Sequence, residues 1–360
     1  GLQGLEYCRH KMIPMSKAAV AASLGFVFGF VLEKGRVFLP SVIFDQMLMK
    51  DFTMMKMFLA ASATSLLALS VLSHLAPTKF GKVLQRFTGS GENALSVCLG
   101  AGMLGAGMAL SGSCPGTVFV QLGAGLWRSA LPLLGGGLAA ATLFSFAQPT
   151  IARTFPKAPC RTVDKMVSVP RVVVGASLAM VLYMAVFGLE TIFPSSSSDL
   201  VLSLPALVRV VAWPPWAAGI VVGLLQVPAL LLLEGTIGSS TAYVSVCGNV
   251  LNALNPSSVP DYMKNYLSSW QPIYLAAAAL GAFASSSLSS SHEVGELASG
   301  LVSAAGGFFL VFGARLAGGC TSGHGISGFG LLNFGSMLAV AAMFGGGIPA
   351  ALTLRHLGVQ

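Results

Sequence analysis

The sequence predicts an all-α integral membrane protein, and three features of its composition support this prediction. Of its 360 residues, 54% are hydrophobic and only 9% are Asp, Glu, Lys or Arg, whereas a soluble domain carries about 25% charged residues. The mean hydropathy is +0.79. Glycine is abundant, at 43 residues, as expected where membrane helices approach each other closely. A water-soluble globule of this size is excluded, and most soluble enzyme folds with it.

Charge-free stretches indicate where the chain crosses the membrane, because a spanning helix needs about 20 apolar residues. Some of these stretches, such as 93–127, are too long for one helix and too short for two. Half-helices or re-entrant segments explain such lengths. We therefore predict about eight or nine transmembrane helices together with several short half-helices.

A basic segment divides the chain near its middle. Residues 149–169 carry four Lys or Arg residues and one Asp, a charge balance typical of a loop on the cytoplasmic or matrix side. This predicts a first transmembrane repeat over 18–148, a linker over 149–169 and a second repeat over 170–354. The two repeats belong to a single membrane domain.

The two halves share a segment that surrounds a cysteine. Residues 107–117 read GMALSGSCPGT, and residues 313–323 read GARLAGGCTSG. When Cys114 and Cys320 are superposed, two glycines and one leucine of each segment coincide. Both segments combine glycine with other helix-breaking or small residues, which predicts an interruption of the helix at each cysteine.

Further glycine patterns occur in the same order in both halves. A glycine triplet follows each cysteine, at 135–137 and at 345–347. A GxxxG pair precedes each cysteine, within LGFVFGF at 24–30 and within AGIVVGL at 218–224. Such pairs alone often mark only helix packing. The shared order predicts a duplication, and duplicated membrane proteins usually place their substrate site at the interruptions.

The first interruption places a thiol beside free backbone N–H groups. Pro115 can occupy the first position of a new helix, where its missing N–H costs nothing. Cys114 then becomes the N-cap, at the positive end of the helix dipole, which attracts anions. Ser113 and Thr117 supply hydroxyl groups at the same place.

The second interruption repeats this arrangement around Cys320. Thr321 and Ser322 add hydroxyl groups, and His324 adds a donor that can switch protonation state. Arg315 lies five residues before the cysteine in an apolar run, and an arginine inside the membrane normally faces a polar cavity. These residues predict two thiols that face each other in a constriction attractive to anions.

Structural alternatives stay open for these candidates. A single buried cysteine is most often an inert small apolar residue, which is our expectation for the other four cysteines. His324 can be a satisfied residue at a helix end, and Arg315 can extend to the membrane interface. Two further candidates for the pore wall, Ser239 and Ser240, can simply cap a helix.

The segment GARLAGGCTSGHGISG at 313–328 resembles the signature of the YeeE/YedE sulfur-transport family. SGSCPGT with VQLGAG at 111–125 resembles its counterpart in the first half, and LEKGRVFLP at 32–40 and GIVVGLLQVP at 219–228 resemble other family segments. The resemblance implies a thiosulfate transporter or channel built from two inverted-topology repeats around a central hourglass pore. On this pattern Cys114 and Cys320 are the pore thiols and contact the terminal sulfur of the ion through S–H···S hydrogen bonds.

One departure from the family pattern stands in the first segment. Many relatives carry a further cysteine there, whereas the matching residues 35–38 read GRVF. The resemblance also implies a soluble partner, either a sulfur carrier or a rhodanese-like protein.

We therefore predict a membrane transporter for a small sulfur-containing anion, with thiosulfate as the first candidate, and not an enzyme. The net charge of +8 favours anions. Neither a cofactor nor a metal is predicted, and nucleic acid is not a predicted partner, because the basic residues lie between apolar segments rather than in a stripe. Two alternatives remain open: a membrane thiol-redox or sulfurtransferase enzyme, and a structural subunit of a larger membrane complex.

The predicted location is the lipid bilayer of a plasma or inner membrane. The chain begins at Gly1 rather than Met. If an N-terminal targeting peptide has been removed, the location is an organelle inner membrane, such as that of the mitochondrion.

Overall fold

The structure is a computed structural model, and it describes residues 13–89, 91, 93–158, 161–195, 211–289 and 300–358. Helices dominate these ranges, and no β-strand occurs within them. The helices of the first half are α1 (Met15–Lys34), α2 (Pro40–Met47), α3 (Thr53–Leu75), α4 (Pro77–Gly89), α5 (Ala94–Ser111), α6 (Thr117–Gly123) and α7 (Trp127–Thr154).

The second half begins with the short helix α8 and ends with a long spanning helix. Its α-helices are α8 (Val163–Val167), α9 (Arg171–Ile192), α10 (Pro215–Leu224), α11 (Gln226–Leu233), α12 (Ser240–Leu254), α13 (Asp261–Lys264), α14 (Gln271–Ser289), α15 (Gly300–Leu316) and α16 (Phe334–His356). A 3-10 helix follows α12 at Pro256–Ser258, and a π-helix lies between α15 and α16 at Ser322–Gly328.

Eight helical spans within the described ranges are long and apolar enough to cross a membrane, with α10 and α11 counted as one span. A ninth apolar helix, α15, is shorter at 17 residues. Large apolar side chains such as Met180, Met184 and Phe187 of α9 point outward, as expected of a surface that faces lipid. The prediction of an all-α integral membrane protein is confirmed.

The two helices that carry the GxxxG pairs, α1 and α10, each pack against a helix of the opposite half. α1 packs along α14, whereas α10 packs along α3. No Cβ would fit at Gly25 or Gly29, because backbone carbonyl groups of α14 lie against both. Gly219 and Gly223 of α10 meet the backbone of α3 in the same way. The glycine pairs therefore allow two equivalent close contacts between helix backbones.

The helices around the interruptions show the same exchange between the halves. α5 packs against α16, α15 packs against α7, and α5 and α15 pack against each other. α5 and α15 run in opposite directions, since Gly107 lies against the backbone near Gly306 whereas Gly100 lies against the backbone near Gly313. Both cysteine-containing interruptions follow directly after this central pair.

The segment predicted to be a linker is tied to the second half. Its first residues continue α7 to Thr154, and α8 lies within it. The N–H of Val163 donates to the carbonyl oxygen of Leu332 at 2.8 Å, and the N–H of Phe334 donates to that of Arg161 at 3.1 Å. These bonds fix the connection against the loop that precedes α16.

Candidate functional site

Both interruptions begin with a left-handed glycine two residues before the cysteine. Gly112 has a φ of +56° and Gly318 a φ of +80°, a region that residues with a side chain rarely adopt. A Cβ at Gly112 would also collide with Pro40. Gly112 ends α5 and Gly318 follows the end of α15, and two residues later in each segment lie the buried Cys114 and Cys320.

Cys114 takes part in a reciprocal pair of hydrogen bonds at the start of α6. The N–H of Thr117 donates to the Cys114 sulfur at 3.4 Å, and the N–H of Cys114 donates to Thr117 Oγ1 at 2.7 Å. This is the pattern of a capping box, with the thiol in the place of a hydroxyl. Pro115 and Gly116 form a turn, so α6 begins two residues later than the proline suggests.

A buried polar network holds the first interruption in place. Ser113 is fully buried, and its hydroxyl bonds with Thr117 Oγ1 and Gln121 Oε1, each at 3.1 Å. The amide nitrogen of Gln121 donates to the carbonyl oxygens of Phe38 at 2.9 Å and Gly112 at 3.0 Å. Ser113 therefore supports the loop, and the structure adds Gln121, a residue that our sequence analysis missed.

Cys320 is surrounded by donors from the second half. Its sulfur accepts a hydrogen bond from the N–H of Ser239 at 3.3 Å and lies 3.3 Å from Ser322 Oγ. The N–H groups of Ser240 and Gly323 also interact with this sulfur. The Cys320 side chain is almost fully buried, so the loop before α12 and the π-helix enclose it.

The structure brings the two interruptions together. Ser239, which bonds to Cys320, also lies against the first interruption, since a Cβ at Gly116 would be 2.7 Å from its hydroxyl oxygen. The hydroxyl of Tyr243 donates to the carbonyl oxygen of Pro115 at 3.0 Å. Residues near one thiol therefore contact the loop that carries the other thiol.

A cavity of about 60 Å³ lies between the two interruptions, larger than the roughly 10–15 Å³ that one water requires. Cys114 and Thr117 line it from the first half, and Thr321 and Ser322 from the second. The rest of its wall is apolar and consists of Phe28, Leu32, Val37, Met54, Met57, Phe58, Ala61, Val222 and Ile326.

A smaller cavity of about 30 Å³ adjoins the first one, and the two share Met54, Phe58 and Thr321. Thioether groups, which are soft and polarizable, dominate its wall. The methionines that line it are Met47, Met54, Met55, Met108 and Met343.

Arg315 lies near the end of α15, buried among hydroxyl groups. Its guanidinium donates to Tyr262 through two nitrogens, to Tyr266 at 3.2 Å and to Ser240 and Thr241 at 3.4 Å. It also lies over both tyrosine rings, at 5.5 and 5.2 Å from their centres. These partners are neutral, so the positive charge of Arg315 is solvated but not cancelled by them.

Arg315 lines a third and wider cavity of about 400 Å³. Tyr262, Tyr266, Thr241 and Gly318 share this wall, and Gly318 belongs to the second interruption. The cavity therefore brings a positive charge close to the segment that carries Cys320. Asp261 also lies at this cavity, where it is paired with Lys264 at 2.8 Å.

His324 occupies a place in the scaffold of the second interruption. The Nε2 atom lies 3.1 Å from the carbonyl oxygen of Ala317. Because a carbonyl oxygen can only accept, Nε2 carries the proton, and Nδ1 accepts a hydrogen bond from Ser336 Oγ at 3.0 Å. Both polar atoms of the ring are thus used to join the π-helix to α16 and to the end of α15.

The described cysteines, Cys98, Cys114, Cys247 and Cys320, are all free thiols, and Cys8 and Cys160 lie outside the described residues. Of the other predicted site residues, Thr321 and Ser322 reach the cavity beside Cys114, whereas Ser240 faces Arg315. No local pattern pointed to Tyr262 and Tyr266, because tyrosine is common at membrane interfaces.

The fold and the interruptions define an integral membrane protein of the class in which broken helices surround a buried polar site, as in membrane transporters. The chain belongs to the sulphur transport family, whose sequence profile matches residues 34–348. It is also similar to a thiosulfate transporter, TsuA, from Spirochaeta thermophila, with 24% identity over 343 residues that cover 88% of this chain and 92% of the relative.

Proposed function

We propose that the protein carries thiosulfate across the membrane through a constriction lined by Cys114 and Cys320. The observation that carries this proposal is the meeting of both interrupted segments at one cavity. Cys114 lines that cavity directly, and Cys320 lies behind Thr321 and Ser322, which also line it. The similarity to a thiosulfate transporter supports the choice of ion.

Thiosulfate has a soft terminal sulfur and hard oxygens, and thiols suit its soft end. The S–H groups of Cys114 and Cys320 donate weak hydrogen bonds to the terminal sulfur, and no covalent bond forms or breaks. Such contacts meet the requirement for passage, which is binding strong enough for entry and weak enough for release. Sulfate lacks a soft sulfur and gains less from these thiols.

Arg315 serves as the entrance charge in this proposal. It lies at the wall of the wide cavity next to Gly318, and its hydroxyl partners keep it fixed without neutralising it. A fixed positive charge in a low-dielectric surrounding raises the local concentration of anions. The ion is therefore attracted to the side of the molecule from which Cys320 is reached.

The packing of the helices supports two inverted repeats, one over 18–148 and one over 170–354. In each half, the helix with the GxxxG pair packs on a helix of the other half, as α1 does on α14 and α10 does on α3. The opposite directions of α5 and α15 are those expected of equivalent helices related by an axis in the membrane plane. On this view Gly112 and Gly318 are equivalent residues, as are Cys114 and Cys320.

The proposal is tested by uptake of radiolabelled thiosulfate into proteoliposomes. We expect Cys114→Ala and Cys320→Ala each to lower the initial rate by at least about tenfold, which corresponds to ~1.4 kcal/mol. Cys98→Ala is the matched control, because Cys98 is a half-buried thiol on α5 before the interruption. Its rate should equal that of the wild type, and excess sulfate should inhibit uptake only weakly.

Two results would contradict the proposal. One is an absence of thiosulfate uptake by folded wild-type protein, which would favour the structural-subunit alternative. The other is normal uptake by both Cys114→Ala and Cys320→Ala, which would show that transport does not depend on these thiols. Formation of a Cys114–Cys320 disulfide during turnover would instead favour the thiol-redox alternative.

A further inference from the structure

Two hydroxyl groups beside the thiols are fully buried and lack hydrogen-bond partners among the described residues. They are the phenol oxygen of Tyr274 on α14 and the Oγ of Ser239, just before α12. A buried polar group without a partner is costly, and an unpaired group in a native structure calls for an explanation.

Tyr274 packs behind the wall of the cavity between the interruptions, against Phe28. Its ring centre is 5.3 Å from that of Phe28, and Phe28 lines the cavity together with Cys114. The ring also meets the edge of Trp270 at 5.7 Å, which fixes its position. Tyr274 also belongs to the buried apolar cluster that contains Leu32 and Ile326 of the cavity wall.

Ser239 lies between the two thiol-bearing loops. Its N–H donates to the Cys320 sulfur at 3.3 Å, while its hydroxyl faces Gly116, two residues beyond Cys114. The backbone of Ser239 is thus engaged with one thiol, and its hydroxyl stays available for another acceptor.

Tyr243 provides an internal comparison for Tyr274. It is also buried, but its hydroxyl donates to the carbonyl oxygen of Pro115, the residue after Cys114. The hydroxyl of Tyr243 therefore has a hydrogen-bond partner within the protein, whereas the hydroxyl of Tyr274 has none in the described structure and can donate to a ligand.

We infer that the hydroxyls of Tyr274 and Ser239 form an oxygen-binding subsite, which donates hydrogen bonds to the oxygens of the ion while the thiols meet its sulfur. This inference rests on the proposed function and extends it to the ligand class: a small oxyanion with one soft sulfur end. A site built to donate hydrogen bonds discriminates strongly against a ligand that lacks the acceptor. Neutral hydroxyls add this discrimination without a further fixed charge that would trap the ion.

The test compares Tyr274→Phe with Tyr243→Phe in the proteoliposome assay. We expect Tyr274→Phe to raise the KM for thiosulfate by at least about tenfold, the loss typical of one hydrogen bond to a charged group. The inhibition constant of hydrosulfide, which has a soft sulfur but no oxygen, should stay unchanged. Thermal stability should not fall, because the removed hydroxyl has no protein partner in the described structure.

The matched control should behave in the opposite way. Tyr243→Phe breaks the bond to Pro115 and should lower thermal stability. Because its role is structural, any change in affinity should be equal for thiosulfate and hydrosulfide. Ser239→Ala provides a second test and should raise the KM for thiosulfate but not the inhibition constant of hydrosulfide.

The outcomes separate this inference from the proposed function. Active wild-type protein with an unchanged KM in both Tyr274→Phe and Ser239→Ala would overturn the oxygen subsite alone. An equal loss of affinity for thiosulfate and hydrosulfide would also overturn it, because that result indicates a structural role. Inactive but folded wild-type protein would overturn the proposed function and the subsite with it.

Discussion

Arg315 shows how a single charged residue is kept inside a membrane protein. Its partners are the hydroxyls of two tyrosines, one serine and one threonine, and none of the ion pairs in the described ranges includes it. A buried charge inside a membrane protein is costly, and these hydroxyls solvate the guanidinium without cancelling its charge. Attraction of an anion to the adjoining cavity is the use that we propose for it.

We expect Arg315→Gln to raise the KM for thiosulfate by about tenfold, or ~1.4 kcal/mol, because the substitution removes a buried positive charge from the cavity wall beside Gly318. Arg128→Gln is the control, since it makes the same change in net charge at an exposed site on α7. Initial uptake rates over a range of thiosulfate concentrations give the KM of each variant. Equal KM values for the two variants would show that Arg315 does not attract the ion.

Sequence reasoning could find Arg315 but not its partners. A lone arginine in an apolar run is visible in the sequence because its cost in a membrane is known. Tyr262 and Tyr266 lie about fifty residues earlier, and only tertiary packing brings them to α15. Tyr274 was missed for a similar reason, because nothing in its local sequence distinguishes it from an ordinary interfacial tyrosine.

At the scale of helices, the interruptions were the most predictable feature. Glycine before each cysteine and proline after Cys114 signal a helix break through local backbone preferences, and both breaks occur where expected. The start of α6 was less predictable, because Pro115 and Gly116 form a turn and the helix begins only at Thr117. The split of one apolar stretch into α10 and α11 was not predicted.

Each glycine triplet contains one tightly packed glycine and one glycine with open space beside it, so the second serves as a control for substitution of the first. A Cβ at Gly136 would overlap the carbonyl oxygen of Ala304 on α15, whereas a Cβ at Gly135 meets nothing within 4 Å. We expect Gly136→Ala to destabilise the protein by about 1–3 kcal/mol through overpacking. Gly135→Ala should be neutral or stabilising by up to ~1 kcal/mol, because alanine favours the helix.

The corresponding substitutions in the second glycine triplet should change stability in the same way. Gly346 lies against the backbone of Gly102 on α5, and Gly345 has open space. Thermal unfolding in detergent would compare Gly346→Ala with Gly345→Ala and with the first pair. Similar unfolding temperatures for all four variants would contradict both the close packing and the equivalence of the two triplets.

At the scale of the whole molecule, the halves are interwoven rather than adjacent. Helices α1 and α5 of the first half pack on α14 and α16 of the second, and α10 and α15 pack on α3 and α7. The sequence predicted a repeated order of motifs, but it could not predict this exchange, because contacts between distant segments leave no local pattern. The exchange is what brings residues near Cys114 and Cys320 to a common cavity.

The most direct test of the thiol-lined constriction is thiosulfate uptake after chemical modification of the two thiols. A variant with alanine at Cys8, Cys98, Cys160 and Cys247 retains only Cys114 and Cys320 as thiols. It would be treated with methyl methanethiosulfonate, freed of reagent, checked for labelling by mass spectrometry and then assayed. We predict that uptake is lost once either thiol is modified and returns after reduction. Full uptake by protein in which both thiols carry the label would contradict the proposed constriction.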